Sequence, residues 1–332
     1  MPPLALTIGD PAGIGPELAA ASWALREDEG LPPFFVVGSA RLVEQAARAR
    51  GLTGPVCAVT SPDEVAECFA DALPVLDLGD LDYRPGAPDD EGATLALRTL
   101  EVATGLVRSG AAAALVTGPI AKSRLARVGF THPGQTEFVA QACGITPENA
   151  VMMLAGPSLK VVPITVHMAL RDVPHVLTAE LIRSRAAIAA AGLVRDYGIA
   201  RPRLAVAGLN PHAGEDGRMG REDIDVVAPA VAMLREAGID AFGPLPPDTM
   251  FHAQARAGFD VAICMYHDQA LIPMKALDFD EGVNVTLGLP IVRTSPDHGT
   301  AFGIAGTGAA RVGPTIAALR MAGECAARRA LP

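Results

Sequence analysis

The chain of 332 residues has a formal net charge of −10, and half of its residues are hydrophobic while 19% are charged. This acidic balance argues against non-specific nucleic-acid binding, because there is no basic surplus to displace counterions from phosphates. The longest apolar stretches, such as 186–194, are far shorter than the roughly 20 residues that cross a bilayer. The sequence therefore predicts neither a nucleic-acid partner nor a membrane span.

Targeting and cysteine usage favour a cytoplasmic protein. The amino terminus has no basic region followed by an apolar stretch and a cleavage site, so no secretory signal is expected. The cysteines are odd in number, scattered, and never form a C-x-x-C pair, which is typical of reduced thiols. They are Cys57, Cys68, Cys143, Cys264 and Cys325.

Short apolar runs alternate with longer amphipathic or alanine-rich stretches along the chain. The predicted strands are 4–8, 34–37, 56–59, 112–116, 161–166, 204–209, 261–265 and 283–287. The predicted helices are 16–25, 40–50, 94–109, 137–143, 178–197, 225–237, 249–257 and 314–329. This rhythm predicts an α/β fold with a mostly parallel sheet and helices on both faces. The length predicts two domains, with a cleft between them as the ligand site.

Polar side chains are concentrated in the segment 261–275. An apolar run, 261–266, leads directly to His267, Asp268 and Gln269, and Lys275 follows within ten positions. An open α/β sheet binds its ligand at the carboxyl ends of its strands. This segment is therefore the strongest indication of a functional site in the chain.

Two further histidines follow predicted strands in the same way. His167 comes directly after 161–166, and His212 comes shortly after 204–209. Since the carboxyl ends of parallel strands share one edge of a sheet, we expect these residues and His267 to converge. Three neutral imidazoles suit a divalent metal that also holds a substrate. Each histidine alone could instead be a hydrogen-bonded imidazole at a strand end, and Asp268 could orient a ligand or be one.

Several segments are suited to holding an anion. The turns 9–17, 117–122 and 134–137 place glycines, hydroxyls or amide donors at helix starts, where the helix dipole favours negative charge. The last apolar region carries Lys275, Asn284 and Arg293, and the cations among them would hold a phosphate or carboxylate. Alternatively, the turns only reverse the chain and the cations lie on the surface.

Six segments together resemble one known family. They are GDPAGIGPE at 9–17, TGPIAK at 117–122, G-x-TE at 134–137, LNPHAGED at 209–216, YHDQ-x-LIP-x-K at 266–275 and DHGTA at 297–301. They are similar to those of the 4-hydroxythreonine-4-phosphate dehydrogenases of vitamin B6 biosynthesis, nearly from end to end. YHDQ is the most specific of them.

The resemblance implies two α/β/α domains with a cleft between them, as in isocitrate and isopropylmalate dehydrogenases. It also implies a homodimer that depends on NAD, with NADP as the alternative, and on zinc, magnesium or cobalt. The first domain would comprise 1–130 and 295–332, and the second 131–294. The implied metal ligands are His167, His212 and His267, with His267 coming from the partner subunit.

The resemblance also assigns the remaining site residues. Substrate contacts fall on Gln135, Thr136, Lys275, Asn284 and Arg293. The cofactor loop consists of His298, Gly299, Thr300 and Ala301. The catalytic candidates are Lys275, which would anchor an anion or relay a proton, and Asp248 and Asp268, which are possible bases.

The implied reaction is the oxidation of 4-phosphooxy-L-threonine to 2-amino-3-oxo-4-phosphooxybutanoate. This β-keto acid then loses carbon dioxide to give 3-amino-2-oxopropyl phosphate. In such chemistry the metal polarises the alcohol and the ketone, and hydride leaves to NAD.

Gln135 departs from the family pattern, which usually has histidine there. A glutamine can donate a hydrogen bond to a phosphate oxygen but cannot carry charge or shuttle a proton. The alternative substrates are therefore a phosphorylated sugar acid or a ring dihydrodiol carboxylate, with the same oxidative decarboxylation. A hypothesis of another class is a phosphate-acyltransferase-like enzyme or a ligand-binding module on the same fold.

Overall fold

The computed structural model describes residues 1–331 and divides the chain into two compact units. The first combines 1–147 with the chain from 289 onward, and the second comprises 148–288. The units divide at 147/148 and 288/289, whereas the predicted boundaries were 130/131 and 294/295. Segment 131–147 stays with the first unit because Phe138 packs on Phe130, with ring centroids 5.9 Å apart, and Gln135 hydrogen-bonds to Gly118.

Twelve β-strands lie within the described residues. They are β1 Leu4–Thr7, β2 Phe34–Gly38, β3 Val56–Val59, β4 Leu73–Asp77, β5 Leu115–Thr117, β6 Val151–Ala155, β7 Lys160–Pro163, β8 Leu204–Ala207, β9 Ala241–Leu245, β10 Val261–Cys264, β11 Val283–Leu287 and β12 Arg293–Pro296.

The same residues form twelve α-helices, four of which are single turns. They are α1 Gly15–Ala24, α2 Ala40–Ala49, α3 Val65–Cys68, α4 Asp90–Arg108, α5 Lys122–Leu125, α6 Gln135–Ala142, α7 Val173–Val176, α8 Ala179–Tyr197, α9 Ala228–Glu236, α10 Ala253–Arg256, α11 His267–Leu277 and α12 Gly313–Arg329. A π-helical turn, Asp223–Val227, leads into α9. No helix among residues 1–331 is both long and apolar enough to cross a membrane.

The first unit contains a parallel sheet with the strand order β3-β4-β2-β1-β5-β12. Helix α4 packs against β1, β2 and β5, while α12 packs against β1, β5 and β12. Every residue of β1, β2 and β5 is buried, so both faces of these strands are covered.

The second unit contains a mixed sheet with the order β11-β6-β7-β10-β8-β9. Strands β7, β10, β8 and β9 are parallel, whereas β6 is antiparallel to both of its neighbours, β7 and β11. Helix α11 packs on β7 and β10, and α8 packs on β6, β11 and α9. The predicted α/β class with mostly parallel pairing is confirmed.

Every predicted strand and helix overlaps an observed one, but the sequence patterns missed β4, β6, β9, β12, α11 and the single-turn helices α3, α5 and α7. Strands β4, β9 and β12 contain proline, which is depleted in strands, and β9 also contains glycine. Helix α11 begins at the polar cluster itself and contains Pro273, which breaks a helical pattern. The polar residues after β10 therefore form the first turn of a helix.

The turn from β1 into α1 requires glycine at position 15 for steric reasons. A Cβ atom on Gly15 would lie 1.9 Å from the carbonyl oxygen of Ile8. The Ile8 oxygen and the Cα atom that would carry the Cβ belong to the main chain of buried residues. The clash therefore cannot be relieved without shifting the strand.

We expect Gly15→Ala to lower the free energy of unfolding by about 2–3 kcal/mol, since overpacking a rigid segment displaces backbone. The matched control is Gly105→Ala at an exposed position in the last turn of α4, where a Cβ atom would meet nothing within 4 Å. That change should raise the free energy of unfolding by about 0.5–1 kcal/mol through helix propensity. Urea unfolding of both variants measures the difference, and equal stabilities would refute the steric requirement.

Candidate active site

His167 and His267 lie side by side at one edge of the second sheet. Strands β7 and β10 are parallel neighbours, and their ladder continues beyond the strand ends, where Ile164 donates to Cys264 O at 2.7 Å. Thr165 Oγ1 also donates to Met265 O at 2.8 Å. The segments that follow β7 and β10 therefore leave the sheet in register, and the ring centroids of His167 and His267 are 5.6 Å apart.

The pair lines a pocket of about 270 Å³ in the second unit. Its other lining residues come from the segments after β7 and β10, and include Thr165, Tyr266 and Asp268. His167 has a φ angle of 51°, in the left-handed region that non-glycine residues rarely adopt. Such conformations concentrate at functional sites.

His212 follows β8, the other parallel neighbour of β10. It lies in a left-handed turn with a φ angle of 53°. Within residues 1–331, no three His, Cys, Asp or Glu side chains are grouped closely enough to hold a metal ion. The structure thus brings together two of the three predicted ligands in one chain, and the complete ligand set stays a prediction.

Asp268 is positioned to orient the imidazole of His267. The carboxylate Oδ1 lies 2.7 Å from His267 Nδ1. A hydrogen bond at Nδ1 fixes the ring and directs the lone pair of Nε2 outward, which is how ligating histidines are commonly held. Asp268 also lines a second pocket together with Asp248, the other predicted base.

Gln269, the last residue of the polar cluster, has a structural role. The residue is 6% exposed; its Oε1 accepts a hydrogen bond from Met265 N at 2.6 Å, and its Nε2 donates to Gly208 O at 2.7 Å. These bonds tie the end of β10 to the end of β8. Gln269 therefore fixes the edge that presents the histidines, and both of its polar groups bond to the main chain.

Two predicted substrate residues of the second unit lie away from the histidine pair. Lys275 is exposed in the last turn of α11, and Asn284 is half-buried in β11, opposite Leu154. Neither lines the pocket that contains His167 and His267.

In the first unit, a buried guanidinium joins two of the predicted anion-holding turns. Arg293, at the start of β12, is 4% exposed and donates to Thr117 Oγ1 at 2.8 Å and to Thr136 Oγ1 at 3.4 Å. Burial lowers the pKa of Arg293 to about 10, an effect that nearby Glu137 opposes. The group still carries its charge at neutral pH, and an arriving anion would offset the cost of burying it.

Gln135 presents a buried acceptor, and its role as a substrate contact stays a prediction. Its Nε2 donates to Gly118 O at 3.1 Å. Its Oε1 is buried and has no hydrogen-bond partner among the described residues. Because Gly118 O can only accept, the amide orientation is fixed by chemistry. A hydrogen-bond donor of a ligand, such as a hydroxyl or an ammonium group, would satisfy Gln135 Oε1.

The predicted cofactor loop packs on the first glycine turn. Thr300 O accepts a hydrogen bond from Ile14 N at 3.0 Å, and Ala301 has a φ angle of 46°. His298 Nδ1 lies 3.1 Å from Gly299 O, so this nitrogen carries the hydrogen. Burial lowers the pKa of His298, which keeps the ring neutral, and its Nε2 is buried with no partner within residues 1–331. An acceptor is thus available here for a cofactor donor.

Sequence reasoning missed Asp223, which is 1% exposed and accepts hydrogen bonds from the segment just before His212. In the sequence, Asp223 follows Glu222 and resembles part of the acidic first turn of a surface helix. The local pattern therefore does not indicate that Asp223 is buried.

Comparisons with known proteins agree with these observations. Residues 31–322 match the family described as pyridoxal phosphate biosynthetic protein PdxA. The chain belongs to the PdxA family. A 4-hydroxythreonine-4-phosphate dehydrogenase from Erythrobacter litoralis is 59% identical over 99% of this chain and 98% of its own length. The family membership predicted from the motifs is confirmed.

Solved structures support the PdxA assignment. A 4-hydroxythreonine-4-phosphate dehydrogenase from Klebsiella pneumoniae has a TM-score of 0.87 and 39% identity, covering 98% of each chain. A terephthalate 1,2-cis-dihydrodiol dehydrogenase from Burkholderia xenovorans has a TM-score of 0.65 and 30% identity, covering 96% of each chain. The second similarity bears on the alternative substrates.

The bridging role of Gln269 predicts a stability change. We expect Gln269→Leu to cost about 2–4 kcal/mol of unfolding free energy, because it leaves Met265 N and Gly208 O buried without partners. The matched control is Gln141→Leu on the exposed side of α6, which should change stability little. Thermal and urea unfolding measure both variants, and a Gln269→Leu protein as stable as the control would contradict the bridge.

Proposed function

We propose that the chain is a 4-hydroxythreonine-4-phosphate dehydrogenase. It oxidises 4-phosphooxy-L-threonine to 2-amino-3-oxo-4-phosphooxybutanoate, which loses carbon dioxide to give 3-amino-2-oxopropyl phosphate for pyridoxal phosphate biosynthesis. The observation that carries the proposal is the 59% identity to a protein of that name over 99% of this chain. The same similarity favours a dehydrogenase over a phosphate-acyltransferase-like enzyme or a binding module.

The histidines fit a metal centre. Imidazole nitrogens that follow the parallel strands β7, β8 and β10 are a donor set that divalent transition metals commonly bind. We assign His167, His212 and His267 as the ligands, with His267 of each site coming from the partner in a homodimer. A bound zinc, magnesium or cobalt ion supplies Lewis acidity, which lowers the pKa of an alcohol and polarises a carbonyl.

Substrate binding is assigned to groups that suit an anionic hydroxy-amino acid. Arg293 and Thr136 are already joined in the first unit and provide charge and hydrogen bonds for an anion. Gln135 Oε1 is assigned to a donor of the substrate, its ammonium or hydroxyl group. Lys275 and Asn284 are the assigned contacts of the second unit.

The chemical step needs a hydride acceptor and a base. NAD, or NADP as the alternative, would supply the acceptor for the hydride of the secondary alcohol, and the hydroxyl proton would pass to a base of this chain. Asp248 and Asp268 are the candidates for this base, and Lys275 for anchoring the anion or relaying the proton. His298, Gly299, Thr300 and Ala301 are assigned to the cofactor, which could donate a hydroxyl hydrogen bond to His298 Nε2.

A second candidate function keeps this chemistry and changes the substrate to a ring dihydrodiol carboxylate or a phosphorylated sugar acid. The dihydrodiol carboxylate is favoured by the similarity to the terephthalate dihydrodiol dehydrogenase. The acceptor presented by Gln135 is compatible with either, since each carries hydroxyl groups. The proposed location of the enzyme is the cytoplasm, in keeping with its scattered thiols.

The first functional prediction concerns the metal and the histidine pair. The purified protein should produce NADH from 4-phosphooxy-L-threonine, lose this activity with a chelator, and recover it when a divalent ion is restored. His267→Ala should fold normally but lose at least about 100-fold in kcat, as expected when catalytic charge stabilisation is removed. Absorbance at the NADH band measures both, with circular dichroism as the check on folding. Normal turnover by His267→Ala would refute the metal assignment.

The second concerns substrate choice. Gln135→His replaces the buried acceptor with an imidazole, which can carry charge, and should shift kcat/KM among a panel of 4-phosphooxy-L-threonine, a phosphorylated sugar acid and a dihydrodiol carboxylate. Gln135→Leu, which offers no polar group, should reduce kcat/KM for every substrate whose donor meets Oε1 by about tenfold, since a lost buried hydrogen bond costs about 1–3 kcal/mol. Unchanged selectivity in both variants would remove Gln135 from the recognition of substrate.

A further inference from the structure

The turn that carries His212 has an unusual backbone. Five consecutive residues, from His212 to Asp216, have φ angles between 42° and 81°. Only one of them, Gly214, is a glycine. L-residues in this region suffer a clash between Cβ and backbone, so they occur there singly rather than in runs. A left-handed turn of this length therefore needs an external constraint to be the stable conformation.

Asp223 provides that constraint from the π-helical turn that precedes α9. Its Oδ1 accepts a hydrogen bond from Leu209 N at 2.6 Å. Its Oδ2 accepts from Asn210 N at 3.1 Å and from Asn210 Nδ2 at 3.0 Å. The same amide nitrogen donates to Glu222 Oε2 at 2.9 Å. One buried carboxylate thus fixes the two residues from which the chain enters the left-handed turn.

Close packing leaves little room for another arrangement. A Cβ atom on Gly208 would lie 2.9 Å from Asp223 Oδ1 and 2.9 Å from Ala213 Cα. The carboxylate, the end of β8 and the turn are therefore in direct contact. Beyond the turn, Arg218 and Met219 are exposed, so a protease can reach this segment if the turn loosens.

We propose that Asp223 is the positioning residue for His212: it holds the left-handed turn so that the imidazole keeps the orientation a divalent metal requires. The inference rests on the proposed function, because it takes His212 as a metal ligand. Asp223 hydrogen-bonds to Leu209 and Asn210, and it would act without binding the metal itself. It acts through the backbone on which His212 is mounted, as Asp268 acts through the ring of His267.

The test compares Asp223→Asn with Asp225→Asn. Asparagine keeps one acceptor at position 223 but loses the oxygen that binds Asn210. Asp225, by contrast, is exposed and pairs with Arg221. Two readouts are taken on metal-free full-length protein: the rate of trypsin cleavage after Arg218, identified by mass spectrometry, and the affinity for Co²⁺ from its visible absorption.

Asp223→Asn should be cleaved faster after Arg218 and should bind Co²⁺ about tenfold more weakly or worse, the usual cost of losing an outer-shell group. Asp225→Asn should match the unmodified protein in both. Should Asp223→Asn fail to fold, Asn210→Ala removes the side-chain bonds to Asp223 and Glu222 but keeps the main-chain bond, and it should show smaller changes in the same direction. Faster cleavage with unchanged Co²⁺ affinity would overturn the positioning role, as would unchanged cleavage.

His212→Ala separates this inference from the proposed function. If His212→Ala weakens Co²⁺ binding while Asp223→Asn does not, the metal assignment holds and the role of Asp223 is refuted. If His212→Ala binds Co²⁺ as tightly as the unmodified protein, the metal assignment itself is wrong and the positioning inference falls with it. Weaker Co²⁺ binding by both His212→Ala and Asp223→Asn supports the metal assignment and the positioning role of Asp223.

Discussion

The parallel pairing of β10 with β7 on one side and β8 on the other is the constraint on which the second unit's site depends. Parallel neighbours end at the same edge of a sheet, so three distant segments of the chain present their first residues beyond the sheet together. The hydrogen bonds from Ile164 and Thr165 to the end of β10 extend this registration past the strands, up to the histidine pair. Without that registration, His167 and His267 would not lie side by side.

Two kinds of polar group occur at this edge, and their hydrogen bonds distinguish them. Gln269 and Asp223 are buried with their polar atoms bonded to main-chain groups, so they build the edge. His167 and His267 line a pocket, and Asp268 hydrogen-bonds to the ring of His267. Buried groups with complete partners give rigidity, and this rigidity lets exposed ligands keep one geometry.

The first unit shows the complementary pattern, in which buried acceptors lack partners. Gln135 Oε1 and His298 Nε2 are both buried without a hydrogen-bond partner among the described residues. Leaving such atoms unsatisfied is costly, so their presence near a charged Arg293 and a packed glycine turn indicates surfaces that a ligand completes. For Gln135 this changes the expected contact from a phosphate oxygen to a hydrogen-bond donor, which is why substrate selectivity is the informative measurement at this position.

The sequence by itself determined the α/β class, the family and the three histidines at strand ends, because hydrophobic periodicity and short motifs are local properties of the chain. It could not predict that Gln269 is buried and structural while Asp268 beside it is exposed, since that depends on which strand lies beside β10. The orientation of Gln135, the burial of Asp223 and the division of the units at 147/148 were likewise decided only by tertiary structure. In each case the deciding contact joins residues far apart in sequence, or turns a side chain inward where the local pattern allows either direction.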